Sequence, residues 1–186
     1  MKKWLFLGRS AANALIIAAL LQSAAHASDT QLSQRSGPVP TTTNAVPHFQ
    51  IGAQPIPEVS KRLLNNVAKL PGVEIRATVI SLPGAKGFWL GETLELARPD
   101  AIVGGREFAH LHPDGSLHAT LPPDRARQAV TSGWATPHPW ANSRSGWEGF
   151  VLIYTPRSTE EADVVFRLIL DGYNFVTGQT HRAAAR

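Results

Sequence analysis

The chain has 186 residues, with 18 Lys and Arg against 14 Asp and Glu, seven His and no Cys. A hydrophobic share of 43% with 17% charged residues is a globular composition; it excludes a disordered chain, a collagen-like repeat and a multi-pass membrane protein. Without Cys there is no disulfide scaffold, no thiol nucleophile and no Cys-ligated zinc or iron–sulfur site.

Residues 1–27 read as a secretory signal peptide. Lys2, Lys3 and Arg9 form a basic start, Ala11 to Leu21 is apolar apart from Asn13, and Ala25-His26-Ala27 is a small-x-small cleavage site before Ser28. The apolar run is short against the ~20 residues of a membrane span, which favours cleavage over retention as an anchor. There is no twin-Arg pair. Cleavage removes three basic residues and no acidic one, leaving 15 against 14 and a net charge of +1. So small a charge lacks the field that draws a protein to nucleic acid. The expected product is secreted or periplasmic, has no further membrane span, and is long enough to bury a core without disulfides.

Residues 28–56 hold Pro38, Pro40, Pro47 and Pro55 and no apolar period, and are expected to form a flexible tether. The folded domain is expected over 57–177, with a disordered tail over 178–186. A helix is predicted from Pro57 to Lys69, where Val59, Leu63, Val67 and Leu70 make one stripe before Pro71-Gly72. Val73 to Leu82 alternates as a half-buried strand, Gly87 to Ala97 holds one or two short strands, and Arg98 to Gly105 is a loop.

The stretch Arg106–Leu121 is the most informative. Pro113-Asp114-Gly115 between two alternating runs is the signature of a three-residue hairpin, a type I turn closed by a Gly bulge. It pairs His112 with Ser116, Leu111 with Leu117 and His110 with His118. Ala109, Leu111, Leu117, Ala119 and Leu121 then share the core face. Phe108, His110, His112, Ser116, His118 and Thr120 share the other, where cross-strand rings can meet. A helix follows from Pro123 to Gly133, with Trp134 folding back on its end. Ala135 to Trp147 reads as irregular, Phe150 to Tyr154 as a central strand, and a Ser158-x-x-Glu161 capping box opens a helix to about Val176. The sum is an α+β two-layer domain, a mainly antiparallel sheet with helices packed on one face.

Three readings of the His face stand open. His110, His112 and His118 could form a three-nitrogen metal site with an open position. They could form a metal-free pocket in which a neutral imidazole takes a substrate proton. Or they are polar residues on a solvated sheet face. Glu107 falls on the opposite face in this register. Trp134, His138, Trp140 and Trp147 could wall a pocket for a flat aromatic ligand, or cover the core as a lid. No phosphate-binding Gly fingerprint and no Gly-x-Ser-x-Gly elbow is present.

In order and spacing, Arg106-Glu107-Phe108-Ala109-His110-Leu111-His112, Ser116-Leu117-His118-Ala119-Thr120-Leu121, Gly133-Trp134, His138-Pro139 and Tyr154-Thr155-Pro156-Arg157-Ser158-Thr159-Glu160-Glu161-Ala162 resemble the fungal luciferase family. The likeness runs from Arg106 to near Tyr173, with a shorter hairpin loop and a cleavable signal in place of a membrane anchor. It implies an enzyme that oxidises a small aromatic, enolic compound, an α-pyrone such as 3-hydroxyhispidin, with molecular oxygen as co-substrate and no known metal or organic cofactor. It carries over His110, His112, His118 and His138 as catalytic positions, with Glu107 and Arg106 as orienters. Phe108, Trp134, Trp140 and Tyr154 are the expected substrate-binding side chains. A non-catalytic small-molecule-binding domain and a His-ligated metalloprotein are the alternatives.

Overall fold

The computed structural model describes residues 31–183, so the expected signal peptide lies outside the described residues. Residues 31–33 carry no regular secondary structure, and residues 34–183 belong to one compact unit. Among the described residues no helix is long and apolar enough to cross a membrane.

Helix α1 (Pro57–Val67) starts on Pro57, whose fixed φ suits the first helical turn, and buries the stripe Val59, Leu63 and Val67. Two antiparallel strands follow, β1 (Val73–Ala77) and β2 (Lys86–Leu90). A short 3₁₀ turn over Pro99–Ala101 leads to the hairpin of β3 (Glu107–Leu111) and β4 (Leu117–Thr120). Helix α2 (Pro123–Thr131) comes next. Its end closes with the Trp134 N–H donating to the Ala129 carbonyl at 2.8 Å, and Trp134 is buried. Strands β5 (Ala135–Pro137) and β6 (Phe150–Ile153) precede helix α3 (Thr159–Thr177). Ser158 caps α3 by accepting the Glu161 N–H at 3.2 Å. The Glu161 carboxylate turns instead to the Arg157 N–H at 2.9 Å, so half of the expected capping box forms.

The six strands make one open antiparallel sheet in the order β1-β2-β3-β4-β6-β5, and with the three helices this is an α+β fold. Helix α1 packs on α3, and α3 lies against β3 and β4. The core fills that side with Phe88, Leu117, Val151, Ile153, Val165, Ile169 and Tyr173.

The hairpin register is as expected. His110 pairs with His118 and Leu111 with Leu117, the His112 N–H donates to the Ser116 carbonyl at 2.8 Å, and Gly115 takes φ of 84°. Upstream the alternation breaks. A β-bulge shifts the β2–β3 register, pairing Phe88 with Ala109 and Trp89 with Glu107. The face expected for Phe108 and for Glu107 is therefore corrected. The bulge turns Phe108 to the helix side, against Phe88 and Tyr173, and brings Glu107 to the His side.

Three other expectations are corrected. Residues 34–56 are not a flexible tether but a strap laid along the domain. The Arg35 guanidinium is buried, donates to the Thr155 carbonyl at 3.1 Å, and lies over the rings of Trp134 and Tyr154 at 5.8 and 5.7 Å. A bridge between Thr42 and Gln50 folds the strap on itself. Its order comes from polar anchors that leave no apolar period to read. Second, the tail is partly docked: Asn174 bonds the His181 backbone through both side-chain ends, at 2.8 and 3.0 Å. Third, the stretch read as irregular contains the edge strand β5, too short at three residues to show an alternation.

Candidate functional site

The hairpin sets His110, His112 and His118 on the sheet face away from the helices. Three further segments close around them: the strap brings Val46, Pro47 and His48, the β1–β2 loop brings Ile80 to Pro83, and the β5–β6 connection brings His138 and Trp140. With Val103 and Phe150 these line a cavity of about 370 Å³. Five imidazoles form its floor, all buried, and most of the rest of the wall is apolar. This is the composition of a small-molecule site: apolar walls with a few convergent polar groups.

The rings are held from outside. Glu107 Oε1 lies 2.9 Å from His110 Nδ1 and accepts the Thr78 hydroxyl at 2.7 Å, while its Oε2 accepts the Val79 N–H at 3.0 Å. Burial acts to raise the Glu107 carboxyl, but these bonds outweigh it and keep it below its usual range. An ionised carboxylate only accepts, so His110 Nδ1 carries the proton of that bond. Asp114 Oδ1 accepts the Ser116 hydroxyl at 2.7 Å and the Ser116 N–H at 2.9 Å. With its proton given to Asp114, the Ser116 oxygen accepts from His112 Nδ1 at 2.9 Å, so His112 is also protonated on Nδ1 and presents Nε2 to its neighbours. His138 has the opposite tautomer: its Nδ1 accepts the Trp140 N–H at 3.0 Å, leaving the proton on Nε2.

The rings meet one another as well. His110 Nε2 lies 3.0 Å from His118 Nδ1, and His118 Nε2 lies 3.2 Å from His48 Nδ1. Burial, then the neighbouring imidazoles, push His112 down to about 3 and His118 well below the usual imidazole range. Burial and the same neighbours push His138 down to about 3, and burial alone lowers His48. Near neutral pH these four rings are therefore uncharged and keep lone pairs. Two triplets, His110–His112–His118 and His48–His118–His138, each offer ring nitrogens within 4.8 Å of one another.

Of the residues singled out in the sequence, His110, His112, His118, His138 and Trp140 come together at the cavity, with Glu107 behind His110. Arg106 does not reach it; its guanidinium donates to the carbonyls of Leu90 at 2.9 Å, Gly91 at 2.7 Å and Leu94, pinning the loop after β2. Phe108 lies on the far side of the sheet. Trp134 and Tyr154 sit against Arg35, away from the cavity lining. Sequence reasoning missed His48, Phe150 and the Ile80–Pro83 wall. Nothing local marks His48, which stands in a Pro-rich stretch. Phe150 was legible as a strand residue but not as a ring packed 4.2 Å from His138.

Residues 105–170 match the family model described as Luciferase domain. A curated relative, "Luciferase" of Armillaria gallica, is 28% identical over 166 residues, covering 78% of this chain and 61% of its own length. The chain thus spans less than two thirds of that relative. No solved structure matches. The chain carries a luciferase-like domain, and the matched segment contains the hairpin, His138 and most of α3.

Proposed function

We propose that this luciferase-like chain is exported and that its cavity takes up a small, flat, enolic aromatic compound of the α-pyrone class and promotes its oxidation by molecular oxygen. The observation that carries this reading is the convergence of His48, His110, His112, His118 and His138 beneath apolar walls in one cavity of about 370 Å³, large enough for two fused or linked rings. Phe150 and Trp140 offer the flat surfaces against which an aromatic ring stacks. The uncharged rings offer lone pairs that accept an enol's hydrogen bond, and the negative charge of an enolate beside them favours the imidazolium form, which lets a ring take that proton. His138, with its proton on Nε2, supplies a hydrogen bond to the enolate oxygen. An enolate is electron-rich enough to react with oxygen directly, and the apolar walls keep water from it. The relative named Luciferase supports the same class of chemistry.

The test is oxygen consumption by the full chain with a panel of 3-hydroxy-α-pyrones. The expected result is protein-dependent uptake that falls by about 10²–10⁴-fold in His118→Ala. His181→Ala, an exposed ring bonded to Gln179, keeps the wild-type rate. Saturable binding without uptake would replace this reading with a non-catalytic binding domain.

A further inference from the structure

We propose that His110, His112 and His118 bind one divalent first-row transition-metal ion through His110 Nε2, His112 Nε2 and His118 Nδ1. The observations are those of a ligand set already oriented. Each ring has one nitrogen tied to an outer partner: His110 Nδ1 to Glu107, His112 Nδ1 to Ser116 and through it to Asp114, and His118 Nε2 to His48. That leaves His110 Nε2, His112 Nε2 and His118 Nδ1 as the inner nitrogens; one ring nitrogen from each residue lies within 4.8 Å of the others, and His110 Nε2 and His118 Nδ1 face each other at 3.0 Å. A metal-bound imidazole characteristically gives its outer N–H to a carboxylate, carbonyl or similar acceptor, which sets its tautomer and angle. Here two of the three lead to carboxylates.

The spacing fits. Two nitrogens about 2.0–2.1 Å from one ion stand about 2.9 Å apart at an octahedral right angle and about 3.3 Å apart at the tetrahedral angle, and His110 Nε2 and His118 Nδ1, at 3.0 Å, fall between the two. In the metal-bound form His118 carries its proton on Nε2 and donates it to His48 Nδ1, so no two lone pairs are left facing each other. Three neutral imidazoles with no protein oxygen among them select an ion of the zinc-to-iron class over magnesium or calcium. Three ligands also leave positions open toward the cavity for a ligand oxygen.

The second triplet, His48–His118–His138, is not the site. Ligation by a neutral His138 through Nε2 needs the proton on Nδ1, which would then face the Trp140 N–H donor 3.0 Å away. His112 and His138 therefore discriminate between the triplets.

Metal uptake is read without any substrate, so this inference stands or falls separately from the oxidation proposed above. The full chain, purified without a His tag and treated with chelator, is titrated with Co²⁺ and followed by its visible d–d absorption, then analysed for bound metal after dialysis. One equivalent per chain is expected. His112→Ala should lose at least about 100-fold in affinity, Ser116→Ala should lose about 10–100-fold with all three rings in place, and His138→Ala should bind as the wild type does. Far-UV circular dichroism accompanies each variant; should His112→Ala fail to fold, Ser116→Ala decides. No retained Co²⁺ or Zn²⁺ in the wild type overturns the proposal, as does wild-type affinity in the deciding variant. Loss in His138→Ala with retention in His112→Ala overturns it in favour of the other triplet.

Discussion

The Gln50 N–H donates to Asp114 Oδ2 at 2.9 Å, joining the strap to the turn of the His hairpin. The other oxygen of the same carboxylate holds Ser116, which holds His112. One side chain thus places His112 and ties down the strap that delivers His48. Thr155 adds to the clamp: its hydroxyl donates to the Asp114 carbonyl at 3.0 Å and its N–H to Gln50 Oε1 at 3.0 Å.

Asp114→Asn tests this clamp. An amide keeps one acceptor oxygen but turns an NH₂ toward either the Gln50 or the Ser116 donor, leaving one N–H without an acceptor. A cost of about 1–3 kcal/mol in urea denaturation is expected, with faster amide exchange at Gln50. Unchanged stability together with unchanged exchange would show that the strap is held by its other anchors alone.

Gly87 stands opposite His110, and a Cβ there would lie 2.6 Å from Trp89 Nε1 and 2.9 Å from Glu107 Cδ. Gly87→Ala must displace Glu107 or Trp89, so a loss of about 1–3 kcal/mol is expected. A shift of the His110 ring resonances in NMR should accompany it. Wild-type stability with an unmoved His110 would mean that the β-bulge gives way without strain.

Phe108 and Phe150 separate folding from binding. Phe108 packs on Phe88 and Tyr173 beneath α3, whereas Phe150 lines the cavity beside His138. Phe108→Ala should cost about 3–5 kcal/mol and leave the affinity of the folded fraction for an α-pyrone unchanged. Phe150→Leu should weaken that affinity at small cost in stability. The reverse pattern, read by isothermal calorimetry and urea melts, would contradict the face assignment.

That pair also marks how far the sequence was legible. The Pro113-Asp114-Gly115 turn determines its register through local backbone geometry, so every residue from His110 to Leu121 could be assigned a face. The bulge two residues upstream is decided by the pairing of β3 with β2, which alternation within β3 does not contain; Glu107 and Phe108 were consequently placed on the wrong sides. His48 was hidden for another reason. The strap is ordered by Arg35, Gln50 and Thr43 bonding to backbone and side chains, and it has no periodic apolar face. The Trp-rich segment divided because Trp134 belongs to the end of α2, while Trp140 stands half exposed at the cavity.

Acid should unfold the metal-free protein early. His112 and His138 are pushed down to about 3, below the ordinary value near 6.5, so between those limits the unfolded chain binds more protons than the folded one. Stability therefore falls as pH drops from about 6.5 toward 3, with a slope approaching about 1.4 kcal/mol per pH unit for each ring. His138→Asn should flatten the slope by one proton's worth in urea melts at pH 7, 6, 5 and 4.5. Equal stability at pH 7 and pH 5 would mean that the rings are charged in the folded state.

The most direct measurement of the central claim is the ultraviolet–visible spectrum of a 3-hydroxy-α-pyrone bound under anaerobic conditions, at a pH about one unit below the enol's own pKa. Free ligand is then mostly neutral. In the metal-free protein the His cluster and the His138 Nε2–H donor should hold the bound ligand as the enolate, giving the anion's red-shifted band at saturation and its loss in His118→Ala. A bound ligand with the neutral spectrum would contradict the account.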